Sequence, residues 1–467
     1  MNFHEDFSVF FTPVVKSPTS AKAQTSWYNR KSLAITETFS WYNRKLVLIL
    51  LLFSCYSMNE VIPMIQRSLY LDQIRPFIDK PLVKVLTGVR RCGKSSILAI
   101  LRDEFIVKDP AAKIIVMHFE SMEYAELTDA RKLYEYVKPL IAQGQKTYIM
   151  FDEIQEVVGW EKAVNSFLVD FDCDIYITGS NSRLLSSDLS TYLAGRYVEI
   201  SILPLSFSET LLFRRQYNTD AADTIQKQFY EFLRKGGFPV LWTASYTSDA
   251  ADKIVQDIYS SIVLRDIISR NGIRNVDLLD RIVKYIFDNT GNLISGKRIS
   301  DFFKSERRSV NLETVYNYLS YLEKAFIVYR VPRYDLKGKE ILQVNEKFYL
   351  SDQALKYAML GYKDSQIAGV LEGIVFLELK RRGYQVFVGK YEDKEIDFVA
   401  INKEERVYVQ VAFRLSGDET IDREFGNLKK IPDHYPKYVV TTEENWSDNI
   451  DGIRHVNIAD FLLMDKF

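Results

Sequence analysis

Through the middle of the chain, short β-branched apolar runs alternate with segments whose apolar residues return every third or fourth position. LVKVLT (Leu82–Thr87) is one such run, and in the SSILAILRDEF that comes after it Ile97, Leu98, Leu101 and Phe105 fall on one helical face. Thr147–Phe151 and Asp174–Thr178 read as further buried strands. Strands and helices in this succession predict an α/β domain built on a parallel sheet. From Glu209 to about Asn289 the period turns helical, with Gly236, Gly237 and Pro239 marking a sharp break between helices.

Beyond residue 290 the pattern changes twice. Ile299–Glu306 predicts a short helix and RRSVN a turn. Asn311–Phe326 predicts a longer helix with Leu312, Val315, Tyr316, Leu319 and Leu322 on one face. FIVYRVPRYD and ILQVNEKFYLSD then read as two strands joined by LKGKE, so that helix, turn, helix and a two-stranded wing predict a winged helix over 291–350. Val370–Tyr384 predicts an amphipathic helix containing Glu372, VFVGKYEDKEIDFVAI a hairpin whose second strand Asp397 opens, RVYVQVAF the next strand, and PKYVVTTEEN a strand closing the sheet.

The first 57 residues follow none of these periods. SWYNRK occurs at 26–31 and again at 40–45, ahead of the apolar run Leu46–Phe53, which is too short to span a bilayer. LFSC ending at Cys55 is loosely like a lipoprotein cleavage site, but the leader before it is too long. The segment reads as a translated upstream stretch or an extension, with Met58 a plausible start. No membrane association is expected.

Composition sharpens this only slightly. Of 467 residues 47% are hydrophobic and 26% charged, with a net charge of -1, which fits an ordinary globular protein and names no partner. Three scattered cysteines and four scattered histidines argue against a disulfide framework and a zinc site, and for a reducing, cytoplasmic setting.

Chemistry enters at GVRRCGKS, which fits GxxxxGK[ST] between a strand and a helix. Gly88 and Gly93 let the backbone N–H groups of the loop, Arg91 included, turn toward phosphates at a helix N-terminus. Lys94 reaches the β/γ oxygens, Ser95 offers its hydroxyl to Mg²⁺, and Ser96 continues the binding turn. The strand Thr147–Phe151 ends in Asp152 and Glu153, the first to hold the metal and the second to orient an attacking water. The strand at Asp174–Thr178 ends in Gly179, Ser180 and Asn181, short polar groups suited to sensing a γ-phosphate. ATP and Mg²⁺ are the ligands expected.

In the order of these motifs the chain resembles the prokaryotic AAA-type P-loop ATPases that carry GxRRxGKS, an FDEIQ-type acidic strand and an ITGSxSxLL strand end. The resemblance implies a sensor role for Ser180 or Asn181, and an arginine finger at Arg196 in LAGRY with Arg183 second. A finger acting in trans implies a homo-oligomer. GGFP and VLRD (Val263–Asp266) look like family features whose role the residues do not reveal.

The last part resembles the PD-(D/E)xK nuclease fold, and the whole chain resembles ATPases fused to such a C-terminal domain of unknown function (4143-type). Active members hold Mg²⁺ with the aspartate and the glutamate of E-x-K; here Gln410, Val411 and Ala412 replace E-x-K. Glu372, Asp397 and Gln410 therefore outline a degenerate site. Lys380, Lys390 and Glu424 are candidates for the displaced charges.

The expected organisation is multidomain α/β. An extension (1–57) precedes a P-loop domain (58–208), a helical lid (209–290), a winged helix (291–350) and a nuclease-like domain (351–467). Over 291–348 basic residues outnumber acidic ones by about four, with Lys297, Arg298, Lys304, Arg307, Arg308, Lys337 and Lys339 at the turn and wing tip. The expected function is an ATPase coupled to duplex DNA. The alternatives are a nucleotide-switched regulator of a protein partner and an ATP-controlled nuclease.

Overall fold

A computed structural model describes residues 64–141, 144–182, 192–193, 195–217, 223–307, 310–363, 366–403, 405–415, 417–443 and 449–467. The extension at 1–57, with its SWYNRK copies and Cys55, lies outside them, as do Met58, Arg183 and Arg308.

The first sheet is wholly parallel. Its strands β1 (Val83–Thr87), β2 (Lys113–His118), β3 (Thr147–Asp152), β4 (Cys173–Gly179) and β5 (Tyr197–Ser201) lie in the order β2-β3-β4-β1-β5. Strands β1, β3 and β4 are buried along their whole length, which is why they read as unbroken apolar runs. Alternate residues go to opposite faces. Leu86, Tyr148, Met150 and Tyr176 pack with Ile97, Leu101 and Phe105 of α2 (Lys94–Lys108), which follows the short α1 (Ser68–Ile74). Val83, Val85, Ile149, Phe151, Ile175 and Ile177 pack against Leu133 of α3 (Ala130–Val137) and Phe167 of α4 (Trp160–Asp170). The one lysine of β1, Lys84, is 0% exposed and is matched by Asp174 on β4, which also accepts from the Tyr176 hydroxyl at 2.8 Å.

Helices follow as their period requires: α5 (Phe207–Tyr217), α6 (Ile225–Lys235), α7 (Ser248–Ile262) and α8 (Val276–Asp288). Thr224, Thr247 and Asn275 cap α6, α7 and α8 by accepting from backbone N–H groups of the first turn. Between α7 and α8, Val263–Ser269 is a π-helical segment. GGFP gains a role here. The Gly237 N–H donates to Asp352 Oδ2 at 2.6 Å, its carbonyl accepts from Leu205 N at 2.7 Å, and the Gly236 carbonyl accepts from the Trp242 indole at 2.9 Å. A Cβ on Gly237 would sit 2.3 Å from the Leu205 carbonyl oxygen.

Strand β6 (Leu293–Ile294), α9 (Gly296–Ser305), α10 (Leu312–Lys324), β7 (Val328–Asp335) and β8 (Glu340–Leu350) come next. The buried stripe of α10 is Val315, Tyr318, Leu319 and Leu322, whereas Leu312 and Tyr316 remain 41% and 45% exposed, contrary to the sequence expectation. Tyr316 lies over Gly296, where an added Cβ would come within 2.6 Å of its ring.

The second sheet has nine strands in the order β13-β14-β12-β11-β10-β9-β7-β8-β6, where β9 is Gln385–Tyr391, β10 Lys394–Asn402, β11 Glu405–Val411, β12 Lys437–Thr441, β13 Asn449–Ile450 and β14 Ile453–Asn457. Its helices are α11 (Ala354–Leu360), α12 (Ile367–Arg381), α13 (Asp418–Lys429) and α14 (Ile458–Leu463). Strand β7 pairs parallel with β9, Arg333 opposite Val388 and Asp335 opposite Lys390, so hydrogen bonding runs without a break across residue 350. Asp397 lies inside β10, at a register irregularity between Ile396 and Val399, instead of opening the strand. Helix α12 is buried on most sides, not on a single stripe.

Gly237→Ala is expected to lower stability by roughly 1–3 kcal/mol through the backbone displacement it forces, read as a reduced urea midpoint at unchanged m-value.

Candidate functional site

The phosphate loop joins the C-terminal end of β1 to the first turn of α2. Gly88 (φ 146°) passes so close to β5 that a Cβ would stand 2.1 Å from the Ile202 oxygen, and Gly93 (φ 102°) takes a backbone conformation that L side chains rarely adopt. Arg91 also has positive φ (65°), and its side chain is exposed, as are Ser95 and Ser96 at the start of α2. Cys92 is buried and free, like Cys173. From beneath, the Arg67 guanidinium donates to the Cys92 carbonyl at 2.8 Å and to the Leu203 carbonyl at 2.9 Å, and it pairs with Glu209 at 2.7 Å.

Because β4 lies between β1 and β3, three strand ends converge. The Lys94 ammonium donates to the Gly88 and Val89 carbonyls at 2.9 and 3.2 Å and stands 3.5 Å from Glu153. Thr178 on β4 donates to Asp152 Oδ1 at 2.5 Å and accepts from Glu153 N at 2.9 Å, while His118 Nδ1 lies 3.1 Å from the other Asp152 oxygen. Glu153, at φ 54°, accepts from Ser180 N at 3.2 Å and from the Gln155 amide. Burial pushes the Glu153 carboxyl up, but Lys94, Gln155, Arg90 and Ser180 outweigh it and hold the group below the usual carboxylate range. The Ser180 hydroxyl is buried with no hydrogen-bond partner among the described residues. These features fit a nucleoside triphosphate with its cation: free donors at a helix N-terminus, a lysine resting on its own loop, and an orphan hydroxyl beside the acidic pair.

Residues that sequence reasoning missed tie this site to the helical segment. Arg90, inside the loop, donates to Asp266 Oδ2 at 2.6 Å and to Glu120 at 2.7 Å, and both Arg90 and Asp266 are buried. Arg270 reaches Asp266 at 3.3 Å and Glu156 at 2.9 Å, and the Asn181 amide meets the Asp266 carbonyl at 3.5 Å. The acid of VLRD is thus gripped from the loop and approached by Asn181 from the end of β4. The paired motifs were visible in the sequence; nothing in it said that they meet.

Arg196 lies apart from this cluster. It precedes β5, and its carbonyl accepts from Val83 N at the start of β1, so it sits at the end of the sheet opposite the loop, with its guanidinium on Asn165 at 2.6 Å. Within one chain it does not reach the site.

Glu372, Asp397 and Gln410 do come together, around a residue the sequence did not offer. Lys347 of β8, 3% exposed, places its ammonium 2.9 Å from Glu372, 2.9 Å from Glu395 and 3.3 Å from Asp397. Burial and the neighbouring Asp397 push the Glu372 carboxyl up to about 7, against the opposing pull of Lys347 and Tyr349. Lys380 instead lies over the Tyr329 ring and Lys390 is 3.9 Å from Asp335, so neither supplies the displaced charge. Glu372, Asp397, Gln410 and Glu424 also line an open depression of about 630 Å³, together with Arg414 and Arg423.

Comparison with known proteins gives an AAA domain over residues 80–211 and a domain of unknown function, DUF8612, over 226–366. An uncharacterized protein of Haemophilus influenzae is 40% identical over 86% of this chain and 99% of its own length. An uncharacterized protein of Methanocaldococcus jannaschii is 31% identical over 72% of this chain and 75% of its own. Among solved structures, the Walker-type ATPase of Pyrococcus abyssi aligns with TM-score 0.45 and 14% identity, covering 64% of this chain and 96% of that one. No helix among the described residues is long and apolar enough to cross a membrane.

Asp266→Ala is expected to cost roughly 3 kcal/mol in urea unfolding, because it leaves the buried Arg90 guanidinium with only the half-exposed Glu120 as a carboxylate partner; the double change Arg90→Met with Asp266→Leu is expected to recover most of that loss.

Proposed function

Since the chain belongs to one family with the Haemophilus influenzae protein, and itself carries an AAA domain of P-loop type, we propose that it hydrolyses ATP and uses the cycle to change how its C-terminal half engages duplex DNA. The observation that carries this reading is the convergence of Lys94, Glu153, Asp152 and Thr178 at three adjacent strand ends.

Without nucleotide, Lys94 and Glu153 neutralise each other. ATP would draw Lys94 from the Gly88 and Val89 carbonyls to its β/γ oxygens and so release Glu153 to orient water for in-line attack on the γ-phosphorus, with ADP as leaving group. Ser95 and Asp152 would hold Mg²⁺, which when bound neutralises phosphate charge. Thr178 fixes the Asp152 carboxylate, and the Ser180 hydroxyl, lacking a partner, is placed to sense the γ-phosphate. Arg196 would act only on a neighbouring subunit's site, which requires a homo-oligomer.

The basic face of α9 supports the DNA reading. Lys297, Arg298, Lys304 and Arg307 are exposed there, beside exposed Phe302 and Tyr316. A winged helix over 291–350 is supported by the succession α8, β6, α9, α10, β7 and β8. Its wing tip is tied down, with Leu336 N donating to the Lys390 carbonyl at 2.9 Å and Lys337 lying 3.6 Å from Glu392, so phosphate contact falls to the helices. A degenerate nuclease-like domain over 351–467 is supported by Glu372, Asp397 and Gln410 meeting on α12, β10 and β11.

Steady-state ATP turnover by the full chain tests this. Lys94→Ala is expected to abolish turnover and weaken ATP binding, and Glu153→Gln to keep binding while slowing turnover roughly 100-fold or more. Duplex DNA is expected to stimulate the wild type, and Lys304→Ala with Arg307→Ala to weaken DNA binding at low salt and flatten its salt dependence. Turnover indifferent to DNA would favour a switch acting on a protein partner.

A further inference from the structure

We propose that the Lys347 ammonium stands where a nuclease-like fold would hold a divalent cation, so that the C-terminal carboxylate cluster is held by an ammonium and not by a metal ion. The inference rests on the nuclease-like reading of that cluster and is independent of the ATPase reading.

The donor set does not suit a metal ion. An ammonium has three N–H donors, and Lys347 has three carboxylates around it: Glu372 at 2.9 Å, Glu395 at 2.9 Å and Asp397 at 3.3 Å. Other donors already take part of the same carboxylates. Glu372 Oε2 also accepts from the Tyr349 hydroxyl at 2.7 Å, and Asp397 Oδ2 accepts from Val411 N at 2.9 Å. Gln410, where a ligating glutamate would stand, turns its oxygen to Asp397 N at 2.9 Å and its NH₂ to Glu424 at 2.8 Å. Glu424 is further held by Arg423 at 2.6 Å. Mg²⁺ asks for near-octahedral oxygen at close range and gives up its water reluctantly. Here it would meet a fixed ammonium in the centre and an amide nitrogen occupied with a carboxylate at the rim. Among the described residues no group of three or more His, Cys, Asp or Glu is arranged to hold a metal ion.

The origin of the lysine adds a second consequence. Lys347 belongs to β8, whereas its partners lie on α12 and β10. The charge cluster therefore also locks the strand pair β7–β8 to the C-terminal sheet, and the exchange of a cation for a side chain makes that lock permanent.

The test is Mn²⁺ binding to the nucleotide-free full chain, followed by equilibrium dialysis and by the shift in Tm. Wild type and Asp397→Asn are expected to bind the same amount of Mn²⁺. Lys347→Ala is expected to gain one site at least tenfold tighter than any in the wild type, with a Tm raised by Mn²⁺, and Lys347→Ala/Asp397→Asn to lose it. A Mn²⁺ held by the wild type and lost in Asp397→Asn would overturn the proposal, as would a folded Lys347→Ala that gains none. Should Lys347→Ala fail to fold, the wild-type and Asp397→Asn comparison decides on its own.

Discussion

A charge taken out of water must be paired, and this protein is assembled around that constraint. Its junctions between elements distant in sequence are closed by buried or nearly buried ions: Lys84 with Asp174 inside the first sheet, Arg67 with Glu209 below the phosphate loop, Arg90 with Asp266 between loop and helical segment, and Lys347 with three carboxylates in the second sheet. Apolar packing holds each layer together but is tolerant of register. A desolvated ion is not, because a small displacement leaves it short of partners at a cost of several kcal/mol. These pairs therefore specify how the layers meet.

The same constraint links the nucleotide site to the rest of the chain. Arg67 touches the loop at Cys92 and the exit of β5 at Leu203, and Arg381 of α12 reaches the next carbonyl, Pro204, at 2.9 Å. On the other side Arg90 leads to the π-helical segment, whose seven residues Val263–Ser269 carry Asp266. A π segment exchanges the tighter α ladder for a looser one, and this one bears the acid that the loop grips. The phosphate loop is thus joined by buried arginines to the helical segment on one side and to the C-terminal half on the other.

Much of the fold was legible. Buried parallel strands announce themselves as unbroken apolar runs, and glycine with a Lys-Ser pair between a strand and a helix has few uses other than phosphate. Other readings drifted for identifiable reasons. The buried stripe of α10 takes Tyr318 in place of Leu312 and Tyr316, and helix α12 looked amphipathic because the partners of its polar residues, such as Lys347 for Glu372, lie outside the helix.

The sequence by itself determined the local elements and the chemistry of the phosphate loop with its acidic strand, since those depend on periodicity and on residues adjacent in the chain. Only the tertiary structure decided that strands β7 and β8 join the C-terminal sheet, that Asp266 answers Arg90, that Arg196 lies at the far end of its sheet, and that Lys347 takes the centre of the carboxylate cluster. Each of these is a pairing across scores of residues. Periodicity records which way a side chain faces, and it carries no information about which distant charge it will face.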